Sequence, residues 1–494
     1  MAHAQLTFLL ATLAVAVPGC GHGSGEPTTQ VNVATPGAAA TMTRSGGDLQ
    51  SGPVSAALAT PLSVTVTDAS ANVVSGVTVN WAAVTGGGSM GAPTSVTNAL
   101  GVTTMIWTLG PTLGQQTATA TVTGLTGSPA AFSATADAAV PAFTLASLAA
   151  GAYHTCGLTA GGAAYCWGSD SAGQLGDGTT TDRSTPTPVV GGLVFASLTL
   201  GLRHTCGLTA GGEAYCWGDN IEGALGDGTT TDRHVPAHVA GGPAFANLSA
   251  GFDSSCGLTA AGAAYCWGDN SVGQLGDGTM TSRSTPTPVA GGLVFASLAA
   301  GATCGLTTGG AAYCWGYNQS GVLAVGTLTT YILTPQPVVG GLVFASLTGG
   351  SIACGLTTGG AAYCWGNNSK GELGDGLGTY EATTPTKVAS ILVFASLTAN
   401  GGNTCGLTAG GVAYCWGDND YGEVGNGTTG PNRGVTLPAP VAGGLVFASL
   451  AVGAFHTCGL TAVHAVYCWG YNFYGQLGDG TTTDRSVPTR VISP

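Results

Sequence analysis

Charge is scarce in this sequence: Asp, Glu, Lys and Arg make up 7% of its 494 residues. Lysine occurs only at Lys370 and Lys387, and Arg44 is the one basic residue before Arg183. Ten basic residues against 23 acidic ones leave a net charge of −13. No basic stripe exists that could release counterions from a nucleic-acid backbone, so no nucleic-acid partner is expected. No long stretch carries a 3.6-residue apolar period, which argues against helices. Beyond the N-terminus there is no run of about 18 apolar residues able to span a bilayer. A C-x-x-C redox motif is missing as well. What fills the chain instead is glycine, 85 residues of it, between short runs of strand-forming residues. This is an all-β composition, and its length allows two or more folding units.

Cysteine is abundant and regular. The stretch CGLTAGGAAYCWG (156–168) recurs seven times, pairing Cys156 with Cys166, Cys206 with Cys216, Cys256 with Cys266 and Cys304 with Cys314. The remaining pairs are Cys354 with Cys364, Cys405 with Cys415 and Cys458 with Cys468. In the first copy, β-favouring residues flank Gly161 and Gly162, which reads as a hairpin. A loop of Ala160, Gly161 and Gly162, with Gly162 left-handed, sets Thr159 opposite Ala163 and Cys156 opposite Cys166. That places the cysteines on a non-hydrogen-bonded pair, about 4.5 Å apart at Cα, within reach of a disulfide. Zinc sites usually place cysteines two to four residues apart in converging pairs, so spacing of ten argues against metal. Seven such pairs point to an oxidising compartment.

The fifteenth cysteine, Cys20, ends an apolar run (6–17) of signal-peptide length. Gly19 before Cys20 resembles a lipoprotein cleavage site, with Cys20 as the acylated first residue of an exported, membrane-anchored protein. The alternative is an ordinary secretory signal, because the run has no Lys or Arg before it and Pro18 precedes the small residue. Residues 1–19 are thus expected to be a signal peptide and 20–28 a tether.

Residues 29–139 contain only the cysteine-free alternating runs LSVTVT (62–67), VTVNW (77–81), 102–109, 116–122 and 131–136. Short strands at this spacing predict a β-sandwich with Trp81 and Trp107 in its core. The segments GDLQSG (47–52), PLSVTVTDASANVVSGVTVNW (61–81), GGGSMG (86–91), TNALGVTTMIWTLGPTLGQQTATATVTG (97–124) and AFSATA (131–136) resemble the bacterial immunoglobulin-like domains of the intimin–invasin type. That resemblance implies an Ig-like spacer or adhesive module on a bacterial surface. Ser89 sits in a G-x-S-x-G pattern, but a glycine loop and Ala92-Pro93 flank it where a nucleophile elbow needs a strand and a helix.

From 140 to 494 the chain repeats about every 50 residues, with four short strand signals per copy, which predicts propeller blades. The CWG signature counts seven blades, at Trp167, Trp217, Trp267, Trp315, Trp365, Trp416 and Trp469. The recurring indole is expected to fill the space between neighbouring blades. G-x-x-H-T-C-x-L (151–158), A-Y-C-W-G (164–168) and G-Q-L-G-D-G-T (173–179) resemble the regulator of chromosome condensation repeat family. The resemblance implies a seven-bladed β-propeller, so the full expectation is an Ig-like β-sandwich followed by that propeller. It leaves function open, since relatives range from nucleotide exchange on a small GTPase to β-lactamase inhibition by surface contact. Ring closure is expected to pair residues 140–148 with 490–492.

Three histidines, His154, His204 and His456, recur before the first cysteine and are expected to bond backbone or water in the channel rather than a metal. The G-D-G-T aspartates read as turn residues accepting backbone N–H groups. Asp182–Arg183, Asp232–Arg233 and Asp484–Arg485 read as exposed loop charges. No carboxylate pair, triad or metal cluster recurs, so no catalytic residue, metal or cofactor is expected. The informative positions vary inside a fixed frame: a two-residue slot after each CWG. Its candidate partner-binding residues are Ile221, Glu222, Lys370, Tyr421, Phe473 and Tyr474, with Tyr317 and Tyr471 beside the slots. Loops on a rigid scaffold carry function, and aromatic residues favour interfaces. The expectation is a monomeric, non-enzymatic cell-surface binding or adhesion protein with a protein or glycan partner. An enzyme in the propeller mouth, or nucleotide exchange, is the alternative.

Overall fold

Strict alternation builds the first unit. In Leu62–Asp68 the even positions Leu62, Val64 and Val66 are fully buried, and Ser63, Thr65 and Thr67 alternate with them on the more open face. The computed structural model describes residues 37–137, 143–299, 304–350, 352–377, 379–431 and 434–494. The expected signal peptide, the tether and Cys20 lie outside these residues. The chain divides into two compact units, residues 1–139 and 140–494.

The first unit is a sandwich. One sheet orders Ala39–Gly46, Leu62–Asp68 and Val102–Met105; the other orders Gln50–Pro53, Ala130–Asp137, Gly114–Thr121, Thr78–Ala83 and Thr94–Val96. Their inner faces enclose Met42, Leu62, Val79, Trp81, Trp107 and Phe132. Trp81 keeps its polar end satisfied by donating Nε1–H to Ser95 Oγ at 2.8 Å. Ser89 belongs to a two-residue strand paired with Trp107–Thr108, not to an elbow.

The second unit is seven four-stranded antiparallel sheets, each in simple sequence order. The second blade is typical: Ser197–Leu200, His204–Leu208, Ala214–Gly218 and Arg233–His238. Its neighbours differ mainly in strand length. Each central hairpin closes as Thr159 does, whose N–H donates to Ala163 O at 3.0 Å while Gly162 turns at φ +79°. In each hairpin the two cysteines are register partners, bonded, with Cα atoms 4.1 Å apart. Each bond closes a short loop and is worth roughly 2–3 kcal/mol on chain-entropy grounds.

The indoles hold the blades to one another. Each of the seven CWG tryptophans is at most 1% exposed and removes about 150–250 Å² from water. Trp217 donates Nε1–H to Gln174 O of the preceding blade at 3.0 Å, and Trp267 does the same to Ala224 O at 2.9 Å. The bonds from Trp315, Trp365, Trp416 and Trp469 follow the same pattern. At six of the seven joins the indole lies against a glycine of that preceding blade; facing Trp365 the position is Ala324. A Cβ on Gly226 would stand 2.7 Å from Trp267 Nε1.

Closure differs from the expected strand pairing. Ser147–Ala150 pairs with His154–Leu158 of its own blade, and Arg485–Arg490 pairs with Val466–Gly470 of its own. Every blade is therefore contiguous in sequence, and the ends meet through contacts of the kind that join other blades. Gly480 N donates to Ser184 O at 3.0 Å, Ala454 N to Gly151 O at 3.2 Å, and Trp167 packs with Leu477 and Val491. His464 replaces the hairpin glycine in the last blade, at φ +62°, and its Nδ1 lies 3.0 Å from Leu145 O of the first. No helix among the described residues is long and apolar enough to cross a membrane.

Gly226→Ala and Gly228→Ala separate packing from backbone strain. Both glycines are left-handed, at φ +67° and +83°, but a Cβ on Gly228 meets nothing nearer than 3.9 Å. Gly226→Ala should therefore lose about 1–3 kcal/mol more unfolding free energy than Gly228→Ala in denaturant titration, the cost of overpacking against the indole.

Candidate binding face

The slot residues vary because a buried amide holds their frame. Asn220, fully buried, accepts Leu225 N–H at 3.0 Å. Its Nδ2 faces four oxygens: Asp227 Oδ1 at 3.2 Å, Thr229 O at 3.2 Å, Thr229 Oγ1 at 3.3 Å and Thr231 O at 3.0 Å. Asn270 and Asn472 repeat the arrangement, and Asn318, Asn368 and Asn419 keep parts of it. With the loop fixed from within, slot side chains such as Ile221, Ser271 and Phe473 reach the surface, while Ala172 is buried.

The first blade carries Asp170 in place of the amide. Its Oδ1 accepts Leu175 N–H at 2.9 Å, as Asn220 Oδ1 does from Leu225, so Oδ2 stands where the other blades put an NH2 donor. Thr179 hydroxyl, 3.3 Å away, has a shorter bond to Asp177 at 2.7 Å. A carboxylate oxygen there faces other oxygens, and the group keeps its proton. Burial, then the charges of Asp177 and Asp182, push the Asp170 carboxyl up to about 7.

The histidines clasp neighbouring blades through side-chain hydroxyls, where their recurrence had suggested bonds to backbone or water in a channel. All three are at most 1% exposed. His154 Nε2 lies 2.8 Å from Thr205 Oγ1, His204 Nε2 2.9 Å from Ser255 Oγ, and His456 Nε2 2.7 Å from Thr155 Oγ1. Each hydroxyl also donates to a backbone carbonyl, as Thr205 does to Gln174 O at 2.9 Å. The hydroxyl proton is thereby used, so the ring must donate through Nε2–H, and burial keeps it neutral. Nδ1 of His154 and of His456 has no partner. Burial holds His154 and His456 down at about 3 and His204 at about 4. In the sixth blade Asn403 makes the equivalent bond to Thr457 Oγ1, at 3.1 Å.

The Asp–Arg dipeptides are also corrected. Arg183, Arg233, Arg283 and Arg485 reach back to Asp177, Asp227, Asp277 and Asp479 at 2.7–3.0 Å, and each of those carboxylates is nearly buried. Asp182, Asp232 and Asp484 instead accept the backbone N–H of Asp170, Asn220 and Asn472 at 2.8 Å. Asp182, Asp232 and Asp484 are exposed, as expected, but these charges are bonded within the loop and brace it rather than standing free.

On the face so framed, the structure brings four of the eight candidate residues together. Tyr471 is the hub: its ring centroid lies 4.7 Å from Tyr421, 6.4 Å from Phe473 and 6.3 Å from Tyr474. Two further rings join from the loop before the inner strand. Tyr153 stacks on Phe455 at 5.2 Å and meets Tyr474 at 5.5 Å. Six rings from the first, sixth and seventh blades thus form one sector, with Phe473 64% and Tyr421 41% exposed. Among the described residues none of its four phenol hydroxyls has a protein hydrogen-bond partner, and neither has the buried Gln476 Nε2 at its base. Tyr153 and Phe455 directly precede His154 and His456, a column that reads Tyr, Arg203, Asp253, Gly402 and Phe across blades. It varies just ahead of the fixed T/S-C-G-L frame of the inner strand, which is the same kind of signal that marked the slots.

The other four candidates stand apart from this sector. Ile221 is exposed, and Glu222 accepts Ser282 Oγ–H at 3.1 Å. Tyr317 stacks on Tyr331 in the fourth blade. Lys370 is not free to meet a partner: its Nζ bonds Asp420 at 2.8 Å and sits 3.7 Å from Asp418. Among the described residues no group of three or more His, Cys, Asp or Glu side chains is placed to hold a metal.

Two models of the regulator of chromosome condensation (RCC1) repeat match the chain. One covers residues 161–208, 211–258, 261–306, 410–460 and 464–494; the other covers 146–174, 195–224, 245–274, 348–372, 394–423 and 447–476. Residues 307–347, most of the fourth blade, fall outside both. Yeast RCC1 (Prp20), solved bound to Kap60, superposes with a TM-score of 0.61 at 23% identity, covering 71% of this chain and 85% of that one. Prp20p from Saccharomyces cerevisiae alone gives 0.61 at 25% identity, over 70% and 87%. The human E3 ubiquitin-protein ligase HERC2 is 41% identical over 87 residues, 17% of this chain but only 2% of the ligase.

Two titrations test the frame. Asp170 holds its proton in the fold up to about pH 7, whereas an unfolded Asp loses it near ~3.9. Its stabilising contribution is complete below the unfolded value and lost as pH rises through the folded one. Asp170→Asn should therefore raise the melting temperature at pH 8 and lose that advantage at pH 4. For His204 the folded value lies below the unfolded ~6.5, so stability is complete above pH 6.5 and falls as pH drops toward about 4. His204→Asn, the solution used at Asn403, should make the stability slope between pH 6.5 and 4.5 shallower by up to about 1.4 kcal/mol per pH unit.

Proposed function

This chain belongs to the regulator of chromosome condensation (RCC1) repeat family, and from that premise we propose that it is a non-enzymatic binding protein of the cell envelope or cell surface. Its propeller holds out the loop face to a protein or glycan partner. The observation that carries this reading is the six-ring sector around Tyr471. Rings and unpartnered hydroxyls offer large amphipathic contact area with little side-chain entropy to lose, as in tyrosine-rich paratopes. They stand on loops braced by buried amides and ion pairs, so the surface is preorganised. The seven disulfides support an oxidising compartment.

The same reading makes the first unit an intimin–invasin-type Ig-like spacer and Cys20 the site of lipid attachment, with export by residues 1–19. Support for the spacer is the two-sheet sandwich and its sequence resemblance. Support for the anchor is that Cys20 is the one cysteine without a hairpin partner. The whole ligase activity of HERC2 has no claim here, because the match spans 2% of that protein.

Binding of the full chain to envelope proteins and glycans, compared with Tyr471→Ala/Phe473→Ala, tests the sector. Loss of a retained partner by at least about tenfold is expected, the scale of an aromatic hot spot. Unchanged retention by the double variant, at unchanged melting temperature, would remove the sector from the binding role. Palmitate labelling of the wild type, absent in Cys20→Ser, is the expected result for the anchor; equal labelling of both would overturn it.

A further inference from the structure

Across the ring from the aromatic sector, the same face opens into a cavity of about 600 Å³ between the third, fourth and fifth blades. That is the size of small-molecule sites, about 300–1,000 Å³. It lies where the repeat is most divergent, against the fourth blade, most of which falls outside both family models. Its lining combines rings with unspent acceptors. Phe252 and Tyr317, 49% and 41% exposed, supply the apolar part. Asp253, Ser254 and Asp269 supply the polar part.

The acceptors are short of donors. Ser254 is 7% exposed, and among the described residues its hydroxyl has no hydrogen-bond partner. It occupies the column where other blades carry the clasping His154, His204, Asn403 and His456. The Asp253 carboxylate has no hydrogen bond or ion pair among the described residues. Asp269 accepts from Ser271 and Gln274 Nε2, at 2.9 and 2.6 Å, and meets no cation. The nearby donors are committed elsewhere: Asn367 Nδ2 to Glu372 at 2.7 Å, and the Tyr317 hydroxyl to Gln319. Burial, then the charges of Asp219 and Asp269, hold the Asp253 carboxyl above its ordinary range, while Arg203 opposes them. An acidic, ring-walled pocket of this kind wants a cation.

We propose that this cavity binds a primary ammonium group carried on an apolar stem. The three N–H donors of an ammonium match three acceptor groups, the carboxylates of Asp253 and Asp269 and the Ser254 hydroxyl. The stem lies against Phe252 and Tyr317. The proposal rests on the loop face being the binding face, but not on the aromatic sector, which lies on other blades. The ammonium can come from a free arylalkylamine or from a lysine of a partner, and two probes tell these apart.

Calorimetry with the full chain at pH 7 uses 2-phenylethylamine, its N-acetyl derivative, and a blocked heptapeptide with one central lysine. The expected result is binding of at least one cationic probe and none of the N-acetyl compound. Tighter binding of the peptide identifies a lysine as the source, and tighter binding of the amine a free ligand. Asp253→Asn, at an open position and with unchanged melting temperature, should weaken the preferred probe at least about tenfold, the scale of a charge-assisted contact. Tyr471→Ala/Phe473→Ala should leave amine binding intact, so failure of the aromatic sector and failure of this cavity are read separately. Equal binding of the N-acetyl compound, no binding of either cationic probe, or full affinity in Asp253→Asn would each overturn the proposal.

Discussion

One contact recurs at six of the seven joins and sets the ring's geometry: an indole N–H donated to a carbonyl of the preceding blade, across a residue that is glycine everywhere but at Ala324. Burial of each indole gives about 4–6 kcal/mol of hydrophobic stabilisation at ~25 cal/mol per Å². The hydrogen bond adds direction, because a buried N–H without an acceptor is costly. Together they fix how far and at what angle each blade stands from the next. The histidine and asparagine clasps then join inner strands at the same interface, and the disulfides make each hairpin stiff enough to act as a unit. Regularity of the frame follows from this one interface being repeated.

The parts of this design that lie within one copy were legible in the sequence. The Cys–Cys spacing, the Gly-Gly turn and the alternation of 62–68 each report a local periodicity, and local periodicity is visible along a chain. The tryptophan's place between blades could be read too, since a large residue repeated in every unit of a ring has few other places to go. What could not be read is pairing between columns of different copies. His154 meets Thr205 of the next copy, and no spacing within a copy marks that partner. The Asp177–Arg183 brace, by contrast, lies within one copy at a constant spacing of six and was legible in principle. Asp170 shows the limit well: one atom exchanged in an amide changes its role, and only the cage of oxygens in sibling blades reveals it. Tyr153 and Phe455 vary in their column as the slots do, but their meeting depends on the first and last blades being brought together, which no local spacing marks.

The face is regular in frame and uneven in content. Rings gather on the first, sixth and seventh blades, while Asp219, Glu222, Asp253 and Asp269 gather on the second and third. Among the described residues blades four to six show no Arg–Asp brace like that of the others, and Val325 stands in the fourth where Asp177 stands in the first. A scaffold whose interior is held by buried amides can change such surface columns one at a time. That is how seven similar copies come to present two chemically distinct halves to one side.

The join between the last blade and the first differs from the other six. Leu145 replaces the phenylalanine found at Phe195 and its counterparts, and Trp167 Nε1 is buried without a hydrogen-bond partner. His464, in a backbone conformation that favours glycine, contributes a side-chain bond instead. Because no strand is shared across this join, nothing covalent or sheet-like interlocks the two ends. The circle behaves as a bracelet with a clasp: thermal opening would begin where residues 143–148 lie on Val491, and the remaining six links would stay fastened while it does.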